Sequence, residues 1–261
     1  ADLTARWARK REATSANEVA TAGSGTDRVI GGASLGVTRD VGLFALTLRG
    51  ELERNQYVAN DALGSGSTDP SVQDNVLWSG AIRTTLGPTH SLAPFVEVRA
   101  SARRYDAALV YGHRRDGDGV AAVVGVTADA GPMLRGEIAT GWGTEKAADA
   151  SLSTMSGWLV EGNMTWSPTR LVVVKTKLAS TFEPTTNAGS PGAMARTASL
   201  DANYALRRDL TVSAGVGYDT KHYYGIDVDE RTATVSAGLI YKFDRNFQTF
   251  ARARFAHTTA S

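Results

Sequence analysis

The chain repeats one unit. A long segment of alternating apolar and polar residues runs into a tight turn, a second alternating segment follows, and a longer polar loop closes the unit. Tight turns are read at Thr38-Arg39-Asp40, Gly87-Pro88-Thr89-His90, Ala130-Gly131-Pro132, Ser167-Pro168-Thr169-Arg170, Arg207-Arg208-Asp209 and Asp244-Arg245-Asn246. Their first residues are 49, 43, 37, 40 and 37 positions apart. Pro presets one backbone angle at such points, while Gly and Asn tolerate the left-handed region. Between them lie loops rich in Gly, Ser, Asp and Asn, such as Val58–Asp74 and Tyr105–Gly119. The segments alternate with period two, the mark of a strand with two unlike faces. In Phe44–Leu52, Phe44, Leu46, Leu48 and Leu52 oppose Ala45, Thr47, Arg49 and Glu51. Phe95–Arg103, Trp158–Trp166, Leu210–Tyr218 and Phe247–Phe255 repeat the pattern. No amphipathic helix of comparable length competes.

A repeat near 40 residues also suits a propeller blade, which needs four short strands per period. Here each period holds two segments of about 10–14 residues, with Arg and Glu along one entire face, so the blade fits poorly. A soluble sandwich with large core aromatics is the other alternative, and it rarely keeps strands this long with a charged face. Long strands, short turns at one end and long loops at the other match an antiparallel transmembrane β-barrel. Lipid offers no hydrogen-bond partner, so a spanning sheet must pair every backbone group by closing. Apolar side chains then face lipid and polar ones the lumen. Trp158 and Trp166 lie on one face, roughly 20 Å apart in membrane height at the usual strand rise and tilt. With Trp78, Trp142, Tyr204, Tyr218 and Tyr241 they form the predicted aromatic girdle.

Strands are expected near residues 3–10, 28–38, 41–54, 76–86, 91–104, 119–130, 132–144, 155–166, 170–182, 194–206, 209–221, 231–243 and 246–258. That is thirteen in a single domain, 1–261, and bacterial single-chain barrels normally have an even number. The expectation is a barrel of about 14 strands whose closing C-terminal strand is absent from this chain. Twelve strands after a disordered start is the alternative. The start at Ala1-Asp2-Leu3 shows no signal peptide, as expected of a mature or trimmed product.

At this point the chain resembles the β-barrel porin family of Gram-negative outer membranes, the group that includes barrels from exopolysaccharide operons. The likeness rests on Leu92-Ala93-Pro94-Phe95-Val96-Glu97-Val98-Arg99 running to Arg104-Tyr105-Asp106, and on Trp166-Ser167-Pro168-Thr169-Arg170. It rests also on Leu206–Tyr218 and on Tyr241-Lys242-Phe243-Asp244-Arg245-Asn246-Phe247. It implies an outer-membrane location and a part in polysaccharide export or at the cell surface, and it carries over no catalytic residues.

Composition narrows the chemistry. There is no Cys, which removes disulfides, thiol catalysis and thiolate metal sites. A net charge of +1 argues against a nucleic-acid partner. The four histidines are scattered, with His90 in a turn, His113 and His222 in loops and His257 at a strand end. No nucleophile, base and orienting group come together, so an enzyme is not expected. No cofactor is indicated. Asp116-Gly117-Asp118-Gly119 and Asp227-Val228-Asp229-Glu230 offer part of a calcium shell, but neither matches an EF-hand, and solvated loop acids explain them as well.

The predicted lumen lining is Arg6, Arg49, Glu51, Arg83, Glu97, Arg99, Arg103, Arg135, Glu137, Glu161, Lys175, Lys177, Asp201, Arg252 and Arg254, ten basic and five acidic residues. In a water-filled lumen this excess favours anions. Opposite charges can equally pair and plug it, since 14 strands fall between filled and open barrels. Two functions therefore stay open: a porin-like channel for polar solutes, anionic or saccharide among them, and a structural or surface-interaction protein with a plugged lumen and partner-binding loops. The partners expected are outer-membrane lipid and lipopolysaccharide, such solutes, and a surface protein bound through the long loops.

Overall fold

Alternation of this kind yields one continuous antiparallel sheet. The computed structural model describes residues 2–11, 26–59, 70–108, 114–185, 189–244 and 247–261. Its strands are β1 (Asp2–Arg11), β2 (Thr26–Val41), β3 (Phe44–Ala59), β4 (Asn75–Leu86), β5 (Leu92–Tyr105), β6 (Gly117–Asp129) and β7 (Leu134–Ala147). They continue as β8 (Met155–Thr169), β9 (Val172–Glu183), β10 (Ala193–Ala205), β11 (Leu210–Tyr223), β12 (Asp229–Lys242) and β13 (Gln248–Ala260). One short 3-10 turn, Pro70–Gln73, is the helical element among the described residues. Spatial order equals chain order from β1 to β13, a pure meander. That order excludes both the propeller and the sandwich. β1 pairs with β2 from Asp2↔Gly36 to Arg11↔Asp27, so the twelve-strand alternative is overturned as well. β1 and β13 are the two edges of the sheet, and β13 has β12 as its partner.

Two turns fall later than their sequence signals. β2 runs on through Thr38-Arg39-Asp40 to Val41, which pairs with Phe44, and the reversal is made by Gly42-Leu43. Gly42 has φ +61, a left-handed angle cheap only without a side chain, so Gly outranks the polar triplet before it. β8 runs through Ser167-Pro168 to Thr169, which pairs with Val172. The ladder shifts register between Trp166 and Thr169, so Pro168 sits in a bulge, where its missing N–H breaks no rung. The turn at Asp244-Arg245-Asn246 lies in part outside the described residues, as do His113 and most of the loops before β2 and β4. His222, expected in a loop, is in β11, where its Nδ1 stands 2.7 Å from Asp229.

Register divides the sheet into two faces. One carries Leu46, Leu48, Trp78, Ile82, Val96, Val98, Val120, Val124, Trp142, Val216, Val235 and Leu239, all exposed. So continuous an apolar surface far exceeds what a protein keeps against water, and it suits lipid. All seven girdle aromatics lie on this outer face, and Trp142 and Trp158, opposite one another on β7 and β8, meet edge to face at 5.7 Å. Two residues beyond Leu52 and Ala102, toward the loops, the same face turns charged with Arg54 and Arg104. Arg54 Nη1 donates to Asp106 at 2.7 Å, and this bond holds the Asp106 carboxyl below the ordinary carboxylate range, against a smaller opposing effect of burial. A lowered carboxyl pKa adds stability above that range and loses it as pH falls through the folded value. Asp106→Asn is therefore expected to cost at most about 1 kcal/mol at neutral pH, as exposed pairs do. Urea unfolding curves of the two proteins should converge once acid protonates Asp106.

Candidate functional site

The other face is polar, and the fourteen charged residues from Arg49 to Arg254 in the predicted lining that have described side chains all lie on it. The shared parity follows from rungs such as Arg49↔Ala81↔Arg99↔Ala121 and Lys175↔Asp201↔Gly215↔Ser236↔Arg254. The Arg6 side chain lies outside the described residues. The structure divides this face into two unlike walls.

On β4–β8 the central charges are paired. Arg83 Nη2 donates to Glu137 at 2.9 Å and its guanidinium stands 3.7 Å from Glu97. Arg99 donates from Nε to Glu97 and from Nη1 to Glu161 at 2.6 Å. Arg83 also caps the Phe95 ring, 3.5 Å from its centre. These side chains reach one another over β6 and β7 because the inner positions there are small: Ala121, Gly125, Ala139 and Gly141. Two arginines and three glutamates thus lie along the wall, with Glu97 buried beneath them. Toward the loops two asparagines held by arginines continue the wall. Arg28 donates to Asn55 at 2.9 Å, Asn55 to Asn75 at 3.2 Å, and Asn75 to the Gln73 carbonyl at 2.8 Å. Arg103 donates to Asn75 at 3.2 Å. Arg135, at the turn end, is exposed and stands 3.3 Å from Asp129.

On β9–β13 the central rows hold Lys175, Lys177, Arg252 and Arg254 against Asp201, with Asp219 nearer the loops accepting a bond from Thr197 at 2.7 Å. None of these four cations forms an ion pair among the described residues. Asp201 is directly opposite Lys175 in register, yet its carboxylate leans the other way, over Gly215. A Cβ at Gly215 would come 2.4 Å from Asp201 Oδ1, so the glycine makes room for that lean.

Lys175, Lys177, Arg252 and Arg254 are thus gathered on one wall, and Arg49 on β3 and Arg103 on β5 are further lining arginines without an ion pair among the described residues. By register Glu53, Asp129, Glu145, Glu183 and Glu230 also fall on the inner face, and so do the bases Arg28, Lys221 and Lys242. The two candidate calcium segments are drawn into strands and bonds: Asp116 accepts from the Tyr105 amide, Asp118 from Arg104, and Asp229 faces His222. No group of three or more potential metal ligands occurs among the described residues.

One feature of the wall had no sequence signal. β8 and β9 share only the rungs from Gly162↔Leu178 to Trp166↔Val174, plus Thr169↔Val172. Above Gly162 the ladder stops, although β8 continues to pair with β7 as far as Glu145↔Met155. Side chains then take over four positions of the β8 backbone facing β9. Ser180 Oγ accepts from the Val160 amide at 3.0 Å and donates to the Val160 carbonyl at 3.1 Å. Arg196 donates to the Trp158 carbonyl and Tyr224 to that of Ser156. In step, the tops of β9 and β10 tuck inward, and Phe182 and Met194 pack on Phe95, Val123, Ala139 and Leu159. Glycines admit them: a Cβ at Gly143 would meet Phe182 at 3.1 Å, and one at Gly157 the Met194 methyl at 2.9 Å.

Comparison with known proteins agrees with this architecture. The FrpB iron transporter from Neisseria meningitidis (F5-1 variant, apoprotein form) superposes with a TM-score of 0.51 at 10% identity, over 99% of this chain and 48% of that one. The ferric yersiniabactin uptake receptor FyuA from Yersinia pestis gives 0.49 at 11%, over 91% and 44%. The siderophore receptor PiuA from Acinetobacter baumannii gives 0.47 at 10%, over 90% and 47%. The chain thus spans about half the length of these proteins. At such identities the likeness to FrpB speaks for the fold alone. No curated protein sequence matches the chain. The family described as "Putative beta-barrel porin 2" matches residues 1–261, the whole of it. An apolar outer face banded by aromatics, a charged inner face and a full-length family match lead to one conclusion: the chain belongs to this β-barrel porin family and resides in the bacterial outer membrane.

Proposed function

We propose that this porin-like barrel passes polar solutes, with a preference for anionic ones such as acidic saccharides, and that it performs no catalysis. The observation that carries the reading is the divided inner face. Arg83 and Arg99 are neutralised by Glu97, Glu137 and Glu161, whereas Lys175, Lys177, Arg252 and Arg254 present their charge to the solvent beside them. Fixed cations on one wall of a water-filled passage raise the local concentration of anions and lower that of cations. Lipid and lipopolysaccharide are the expected surroundings of the outer face, with Arg54 and Arg104 at headgroup height.

The test is charge reversal. In planar bilayers under a salt gradient, Lys175→Glu/Lys177→Glu/Arg252→Glu/Arg254→Glu should move the reversal potential from the anion side to the cation side. An unchanged reversal potential would remove these residues from the selectivity account.

A second reading draws on the inward tuck of β9 and β10. Phe182 and Met194 fill space on the inner face of β6–β8, as a plug would. If they close the passage, the loops become the working surface and a cell-surface protein the partner. Conductance separates the two readings.

A further inference from the structure

The inner face holds a recess of about 590 Å3 that ends against the gap between β8 and β9. Gly162 and Leu178, the last rung of the ladder, line it, and so does Ser180, the first side chain to replace a rung. Its floor carries Lys175 and Lys177. The other charges lining it are Arg99, Glu137, Glu161 and Asp201. Glu161 is bonded to Arg99 and Glu137 to Arg83, and Asp201 leans over Gly215, which leaves the two lysines as the uncommitted charge.

Above the lysines the recess is lined by Leu178, Ala179, Ser180 and Thr181, and beyond them lies a buried apolar cluster. Leu159 and Phe182 lie on the inner side of the gap, with Met194 behind them. Trp158 and Val160 lie on the outer side, exposed toward lipid. The gap itself is closed by side-chain bonds from Ser180, Arg196 and Tyr224, one from each of three segments. Backbone rungs hold two strands at one fixed spacing, whereas side-chain caps rotate away and leave the rest of both strands paired to their outer neighbours.

We propose that this recess binds an anionic amphiphile, with the headgroup on Lys175 and Lys177 and the hydrocarbon chain running up past Leu178 into the gap between β8 and β9. A cationic floor matches a carboxylate or phosphate. The apolar cluster beyond the caps, with Trp158 and Val160 outside it, offers a chain contacts that a saccharide would not use once the caps turn aside. The site goes beyond passage of polar solutes; it shares Lys175 and Lys177 with that reading but does not need an open passage.

The probe is dodecanoate brominated at its chain end, added to the folded barrel in phosphatidylcholine vesicles and read by quenching of Trp158. The Trp158 component is the part of the signal lost in Trp158→Phe. Quenching should saturate, and Lys175→Gln/Lys177→Gln should weaken binding about tenfold, roughly 1.4 kcal/mol. Lys175→Arg/Lys177→Arg should restore it. Retained heat-modifiable mobility on gels shows that each variant is folded. Vesicles containing phosphatidylglycerol distinguish the source: competition identifies a membrane lipid as the occupant, and unaltered binding a free acid. Quenching that rises without saturation, equal in native and doubly substituted barrels, overturns the proposal. Conductance is a separate readout, so anion-selective current without binding removes the recess alone, and binding without current removes the channel reading alone.

Discussion

Gly141→Ala is expected to cost the barrel more than about 3 kcal/mol, at or beyond the upper end of ordinary overpacking. The reason is geometric. A Cβ at Gly141 would lie 2.0 Å from the Ala122 carbonyl oxygen and 2.6 Å from the Val123 Cα. Both are backbone atoms of β6, so no side chain can rotate away, and the β6–β7 rungs around Ala122↔Trp142 and Val123↔Gly141 must shift instead. The inner wall depends on those rungs, because Arg83 and Arg99 reach their glutamates across them. Gly50→Ala is the matched control. That glycine is also mid-strand, but a Cβ there meets nothing within 4 Å, and alanine should be neutral or stabilise by up to about 1 kcal/mol. Urea unfolding in vesicles, followed by tryptophan fluorescence, measures both. Equal midpoints for the two variants would mean that the β6–β7 contact is looser than described.

Glu97→Gln should be nearly as damaging and should also change transport. Glu97 is buried and is shared by Arg83 and Arg99. Removing one partner from a buried ion pair costs about 3–5 kcal/mol. Here Glu137 and Glu161 remain to hold the two arginines, which brings the expected loss to about 2–3 kcal/mol. The exposed pair of Arg135 and Asp129 is the contrast, and Arg135→Gln should cost less than about 1 kcal/mol. Neutralising Glu97 also adds a net positive charge to the paired wall, so anion preference should rise. A variant of native stability with unchanged selectivity would show that the network is ornamental to both.

The sequence alone located every described strand within a few residues and separated the two faces, because period-two alternation is a direct consequence of the pleat. Lys175, Arg252 and Trp158 could be assigned to faces on that ground alone. Turn positions were less legible. At Thr38-Arg39-Asp40 and Ser167-Pro168 polar residues and proline signalled reversal, but Gly42 and a bulge at Pro168 carry the chain further. The pairing of charges was not legible, since Arg99 and Glu161 are 62 residues apart and meet only because small residues lie between them on β6 and β7. Nor was the break between β8 and β9. Leu178-Ala179-Ser180-Thr181-Phe182 alternates like any strand, and only the glycines facing it at Gly143 and Gly157 hint that something packs there.

On the proposed reading an unpaired basic wall sets the selectivity of the passage. Single-channel current through the purified barrel in a planar bilayer, under a salt gradient, tests it directly. Steady conductance and a reversal potential on the anion side are expected. A folded barrel that carries no current, or one that prefers cations, contradicts the reading.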